Sequence, residues 1–181
     1  VASDLIAQAE HDEKSQTILI TDDISFAQRV KEKLYSLSTQ LSKKGIIKNS
    51  LDTYGAILIL ENLDNAAEII DFIAPEHLHL QNKNADKIFK KVKNAGCILL
   101  GKYSSEVFGD YVVGTNHILP TIGTAKFSSG LGVIDFMKRT SYVRLNKKSF
   151  NNLSNHVINM SSIENLEGHK LSVTIRQTHK K

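Results

Sequence analysis

Four short stretches of this chain carry side chains able to move protons or hold a metal. Residues 74–80 read APEHLHL, so a carboxylate, Glu76, stands beside an imidazole, His77, directly after Pro75. Both groups exchange protons near neutral pH, and neighbours in a loop or at a strand entry can serve one reaction centre. On spacing alone the plainer reading is favoured, with Glu76 and His77 as exposed strand-entry residues and His79 facing outward. Residues 109–120, GDYVVGTNHILP, hold Asp110 and His117 in a glycine-bearing segment that can turn tightly. Asp110 can then project an oxygen ligand and His117 can reach a bound molecule, or the two can cap a turn and pack locally.

Gln8 and His11 stand three apart in an opening helical stretch, about 60° around the axis, so their side chains can converge. Neutral imidazole is a common ligand of transition metals, and an amide oxygen is a weak one that favours a hard or borderline ion. Alone, the pair reads as part of a polar surface. Glu164 and His169 are five apart near the end of the chain. They project about 140° apart on a straight helix, so a break, for which Gly168 is placed, is needed for them to share one point. Together Gln8, His11, Asp110 and His169 offer two imidazoles and two oxygens, a set compatible with zinc or a similar divalent ion. The lack of cysteine in the set argues against a closed structural zinc site and for a metal that holds substrate.

The elements that must position these residues follow from hydrophobic periodicity. Residues 17–21 (TILIT), 56–60 (AILIL) and 97–100 (CILL) are nearly continuous apolar runs, suited to strands covered on both faces. Between them, Ala27, Val30, Leu34, Leu37 and Leu41 form one helical stripe behind the capping candidates Asp22 and Asp23. Leu63, Ala66, Ala67, Ile70 and Ile73 form a second stripe, and Ala85, Ile88, Phe89 and Val92 a third that runs toward Gly96, a plausible helix stop. Five of the ten glycines fall between Gly109 and Gly132, which predicts a long irregular and functional loop. Past Tyr142 a short strand or extended piece and two helical segments, near 150–160 and 163–171, are expected. The fold class is α/β: a partial Rossmann-like sheet flanked by helices, with a small helical carboxyl-terminal extension. The expected division is an incomplete α/β domain over residues 1–125, carrying the motifs, and an extension over 126–181.

Composition bounds the function. With 41% hydrophobic and 23% charged residues the chain is of ordinary globular type. No apolar run approaches the roughly 20 residues of a membrane span, and no basic-then-apolar leader opens the chain, so a cytoplasmic protein without a membrane role is expected. The net charge of +4 comes from lysines such as Lys87, Lys90, Lys91 and Lys93, scattered without an aromatic platform, so no nucleic-acid partner is expected. The single Cys97 excludes an internal disulfide and reads as buried strand filler.

Taken together, DLIAQAEHD (4–12), APEHLHL (74–80), NAGCILLG (94–101), GDYVVGTNHILPT (109–121), GTAKFSSGLGVIDFMKRTSY (123–142) and ENLEGHKLSVTIR (164–176) resemble histidinol dehydrogenase, in order and over essentially the whole chain. The resemblance implies oxidation of L-histidinol to L-histidine through the aldehyde, by two hydride transfers to NAD. It implies zinc bound by Gln8, His11, Asp110 and His169, with Glu76 and His77 as paired proton acceptors. Gln8, His11, His77, Asp110, His117, Glu164 and His169 would contact the substrate. It further implies a homodimer in which His169 and Glu164 complete the partner's site. Departures are Thr115 for the usual Pro, Ile122 for Gly, Lys126 for Arg, Gly132 for Ser and His79 for Glu; none removes a proposed ligand.

Members of that family are more than twice this length, and the portion not represented here carries most NAD contacts. The chain is therefore expected to be a fragment inactive alone, active only with an amino-terminal half that can be separately encoded. The alternatives are a non-catalytic remnant that folds, dimerises and can bind metal, and a metal hydrolase using Glu76 on a zinc-bound water. Because ligands of open α/β sheets gather at strand carboxyl ends, and Asp110 follows its strand while Glu76 precedes its own, residues 77–80 are expected to run antiparallel to their neighbours or outside the sheet.

Overall fold

The computed structural model describes residues 1–178, so the last three residues of the expected extension lie outside the described residues. The described chain separates into two compact units, Val1–Phe136 and a second from Met137 onward. The first holds helices α1 (Ala2–Ala9), α2 (Ile24–Ser38), α3 (Lys44–Thr53), α4 (Ala66–Ile73), α5 (Ala85–Phe89) and α6 (Glu106–Tyr111), with strands β1 (Ile18–Thr21), β2 (Ala56–Ile59), β3 (His77–Leu80) and β4 (Cys97–Leu100). The second is built from α7 (Lys147–Ile163) and α8 (Glu167–Thr178), which pack on each other across a turn where Asn165 takes a left-handed conformation at φ 56°. No described helix is long and apolar enough to cross a membrane.

The strands form two parallel pairs flanked by helices, in keeping with the expected α/β class. Ile18 lies opposite Ala56 in one pair, and His77 opposite Cys97 in the other. Each pair is joined by a helical crossover, the connection that parallel strands require. One core cluster gathers Ile6 and Ala9 of α1, Val30 and Leu34 of α2, and Ile47 of α3. The second gathers Ala66 and Ile70 of α4, Leu78 and Leu80 of β3, and Ile88 of α5, with Ile20 of β1 packed against it.

Helix α2 starts where the sequence places its cap. The Asp23 carboxylate accepts from the Phe26 N–H at 2.9 Å, and this bond holds the carboxyl below the ordinary carboxylate range. The stripe then buries Ala27, Val30 and Leu34, but the helix closes at Ser38 and leaves Leu41 exposed. Helix α3 is absent from the periodicity because its inner face is short and partly polar: Ile47 and Ser50 are its buried residues, and Ser50 donates its hydroxyl to the Ser15 carbonyl at 2.7 Å. The third stripe yields only the five residues of α5, so Gly96 is no helix stop. The stretch after Tyr142 is irregular up to α7, not a strand.

Two departures from the usual family residue have visible consequences. Thr115 donates its hydroxyl to the Gly109 carbonyl at 2.6 Å, tying the loop to the end of α6. Ile122, where the resemblance has glycine, sits at φ 54° and is 99% exposed. A β-branched residue is strained in that region, and glycine is not. Ile122→Gly is therefore expected to raise stability by about 1 kcal/mol after the entropy of the extra glycine is offset. A denaturation midpoint unchanged or lowered would contradict it.

Candidate active site

The site is built at the start of β3. Helix α4 ends at Ala74, fully buried and left-handed at φ 51°, and Pro75 then restricts the chain to an extended exit. The Gly96 N–H donates to the Pro75 carbonyl at 2.9 Å and the Cys97 N–H to the Glu76 carbonyl at 2.8 Å, so the main chain around Glu76 is pinned to the entry of β4. Gly96 is required there by contact: a Cβ on it would lie 2.6 Å from the Glu76 carbonyl oxygen. Strand periodicity does the rest. Leu78 and Leu80 turn into the second core cluster, and His77 and His79 turn to the opposite face.

That opposite face is covered by α6. Glu106 and Asp110 are four residues apart on it, one turn, and share a helix face. His77 Nε2 lies 3.6 Å from Asp110 Oδ1 and His77 Nδ1 lies 3.9 Å from Glu106 Oε2, while His79 Nε2 approaches the same Glu106 oxygen at 3.7 Å. None of these is a closed hydrogen bond, and all four ring nitrogens of the two histidines are buried without a hydrogen-bond partner among the described residues. A Cβ on Gly109 would stand 3.5 Å from Thr115 Oγ1 and 3.9 Å from Cys97 Sγ, ordinary van der Waals contact, so α6 packs close to the head of β4 without requiring glycine there. Burial pushes the Cys97 thiol up, and the nearby Asp110 carboxylate adds to the effect. Cys97 stands at the head of β4 but is only half-buried, less enclosed than the buried filler expected.

The expected antiparallel course of β3 is overturned. β3 and β4 are parallel and paired, yet His77 and Asp110 still meet. The expectation assumed that a residue following β4 stays at its carboxyl end. Five residues beyond the strand the chain re-enters a helix, and by Asp110 that helix has returned alongside the opening residues of β3 and β4. The first three residues of the expected loop over 109–132 accordingly lie in α6, and the remainder is irregular apart from a short 3-10 turn at Thr124–Lys126.

The other sequence-selected residues are less gathered. Gln8 lies in α1 with its side-chain oxygen buried and unpartnered. One turn earlier in the same helix, Asp4 accepts from Gln81 Nε2 at 2.9 Å, which ties α1 to the end of β3. His11 falls past the end of α1, which closes at Ala9, and it is exposed. His117 is exposed in the loop, next to an Asn116 turn that accepts from the Ile118 N–H at 2.8 Å. Glu164 closes α7 and His169 lies in the first turn of α8, both exposed. Among the described residues, no three His, Cys, Asp or Glu side chains converge closely enough to hold a metal ion. Of the four proposed ligands, Gln8 presents a buried side-chain oxygen lacking a partner among the described residues, a donor that fits such an ion. Glu106 is absent from the sequence-selected set. Its spacing of four from Asp110 behind Ser105 was the available signal, hidden by reading the glycine-bearing stretch as loop.

The geometry can be set beside known proteins. The family model described as histidinol dehydrogenase matches residues 1–177. A histidinol dehydrogenase of Leptospira interrogans is 46% identical over 179 residues, covering 98% of this chain and 42% of the relative. That of Geobacter sulfurreducens is 43% identical over 176 residues, covering 97% of this chain and 41% of the relative. A crystal structure of histidinol dehydrogenase from Elizabethkingia anophelis superposes with a TM-score of 0.90 at 35% identity, over 97% of this chain and 40% of that one. The chain thus spans about two fifths of the length of these relatives. By sequence and by fold, it belongs to the histidinol dehydrogenase family.

Proposed function

We propose that this chain supplies the proton-transfer and metal-holding part of a zinc-dependent, NAD-linked oxidation of L-histidinol to L-histidine through the aldehyde. The observation that carries the reading is the apposition of His77 and Asp110 at 3.6 Å in a mostly buried setting, with Glu76 pinned beside them, in a chain of this family. Gln8, His11 and Asp110 hold the zinc together with His169 of a second copy. Bound there, zinc supplies a fixed positive charge that binds the imidazole and amino groups of the substrate. Glu76 and His77 do the proton work: the alcohol step needs a base for the hydroxyl proton as hydride leaves to NAD, and the aldehyde step needs one to activate water. His117 and Glu164 orient the substrate. NAD is held mainly by the amino-terminal portion present in the longer relatives.

The homodimer draws support from the apolar surface of α7 and α8, where Leu153, Val157, Met160, Ile163 and Leu171 are all exposed; surfaces of this kind mark protein contacts. The test uses the purified 181-residue chain. Zinc is expected to bind it in a dimeric species, and histidinol-dependent NADH production is expected only after the amino-terminal portion of a longer relative is added. Turnover by the chain alone would overturn the dependence on that portion. A dimer that folds but neither binds zinc nor turns over when complemented would leave a non-catalytic remnant as the answer.

A further inference from the structure

Glu106 takes no part in the metal and proton-acceptor set above, yet it is 3% exposed, and a carboxylate so enclosed is costly unless donors meet it. We propose that Glu106 is a positioning residue whose Oε2 receives the ring N–H of His77 from Nδ1 and that of His79 from Nε2, leaving Nε2 of His77 as the proton-accepting atom. The proposal rests on the reading of His77 as a proton acceptor and names the group that aims it.

Three features carry it. A single oxygen, Glu106 Oε2, stands 3.9 Å from Nδ1 of His77 and 3.7 Å from Nε2 of His79. Closure by about 0.7 Å brings both into hydrogen-bond range. Among the described residues no other hydrogen-bond partner meets either ring, and a neutral imidazole donates from one nitrogen only. For His77 two carboxylates compete, Glu106 at Nδ1 and Asp110 at Nε2. The Glu106 side chain is 4% exposed and that of Asp110 18%, so Asp110 is the better served by water and Glu106 the stronger acceptor in its drier setting. The ring hydrogen then belongs on Nδ1, and the lone pair of Nε2 faces the side where Asp110 and the proposed metal lie. His79, alternating with Leu78 and Leu80 on the strand, approaches the same Glu106 oxygen at 3.7 Å as a second donor.

The test reads the ring nitrogens of isotope-labelled histidine by NMR in the whole 181-residue chain, at about pH 8, where free imidazole is neutral. His77→Gln and His79→Gln assign the two signals. In the native chain His77 should carry hydrogen on Nδ1 and His79 on Nε2. In Glu106→Ala, His79 should revert to a mixture of tautomers and His77 should shift its hydrogen toward Nε2, with backbone amide spectra elsewhere preserved. Glu106→Gln, which keeps size and removes charge, covers the case in which the alanine variant does not fold; both ring hydrogens should then exchange faster with water. Unchanged ring signals in a folded Glu106 variant, or native tautomers opposite to those stated, would overturn the proposal. The readout needs neither zinc nor turnover, so failure of the proposed oxidation leaves it standing or falling by itself.

Discussion

Replacing Gly96 with alanine is expected to loosen the entry of β3 and β4 and to cost the first unit about 1–3 kcal/mol, the range for forcing an extra carbon into a packed site. The added Cβ would stand 2.6 Å from the Glu76 carbonyl oxygen, 3.3 Å from the Glu76 Cα and 3.2 Å from the Pro120 Cδ. Two of these atoms are main chain and the third is a ring carbon of buried Pro120, so no flexible side chain can yield. What must move is the Pro75–Glu76 segment, and with it the hydrogen bonds from Gly96 N–H and Cys97 N–H. Denaturant unfolding should show the lowered midpoint, and amide exchange should show both N–H groups losing protection by roughly tenfold for each 1.4 kcal/mol. Gly168→Ala is the control. Nothing lies within 4 Å of its Cβ position, and it sits in α8, where alanine is the better helix former. A Gly96→Ala chain as stable as the native one would mean that β3 and β4 are not in fact clamped here.

Once complemented by the amino-terminal portion of a longer relative, the chain should lose about 10²–10⁴ in kcat on His77→Asn or Glu76→Gln, the usual worth of a positioned proton acceptor. Zinc content should stay near the native level in both, since neither residue is among the proposed ligands. Asp110→Asn should differ by losing zinc as well as rate. This contrast separates proton transfer from metal holding, two roles that the 3.6 Å approach of His77 to Asp110 would otherwise blur. If both His77→Asn and Glu76→Gln kept kcat within tenfold of native, the paired acceptors would have to be sought elsewhere.

Much of the secondary structure was legible because it is written in local periodicity. The apolar runs 17–21, 56–60 and 97–100 each contain a strand, residues 147–163 and 167–178 are helical near where expected, and Asp23 caps α2 through its own side chain. Local patterning failed where the inner face was small or polar. Helix α3 packs on Ile47 and Ser50, and α6 buries Glu106 and Gly109, so neither shows an apolar stripe. For the site, the sequence marked His77 and Asp110 as chemically able but had no means to show that they touch.

Residue order alone determined which groups are available: a proline that delivers Glu76 and His77 together, an alternation that sends Leu78 and Leu80 inward, and a glycine at 96 where nothing larger fits. Those properties depend on neighbours a few bonds away. Tertiary structure decided the rest. The parallel course of β3, the return of α6 along the opening residues of the strands, and the meeting of Glu106 with two imidazoles from a segment 27–29 positions earlier depend on which apolar faces bury against one another. That choice is made by the packed core as a whole, and no single stretch of the chain encodes it.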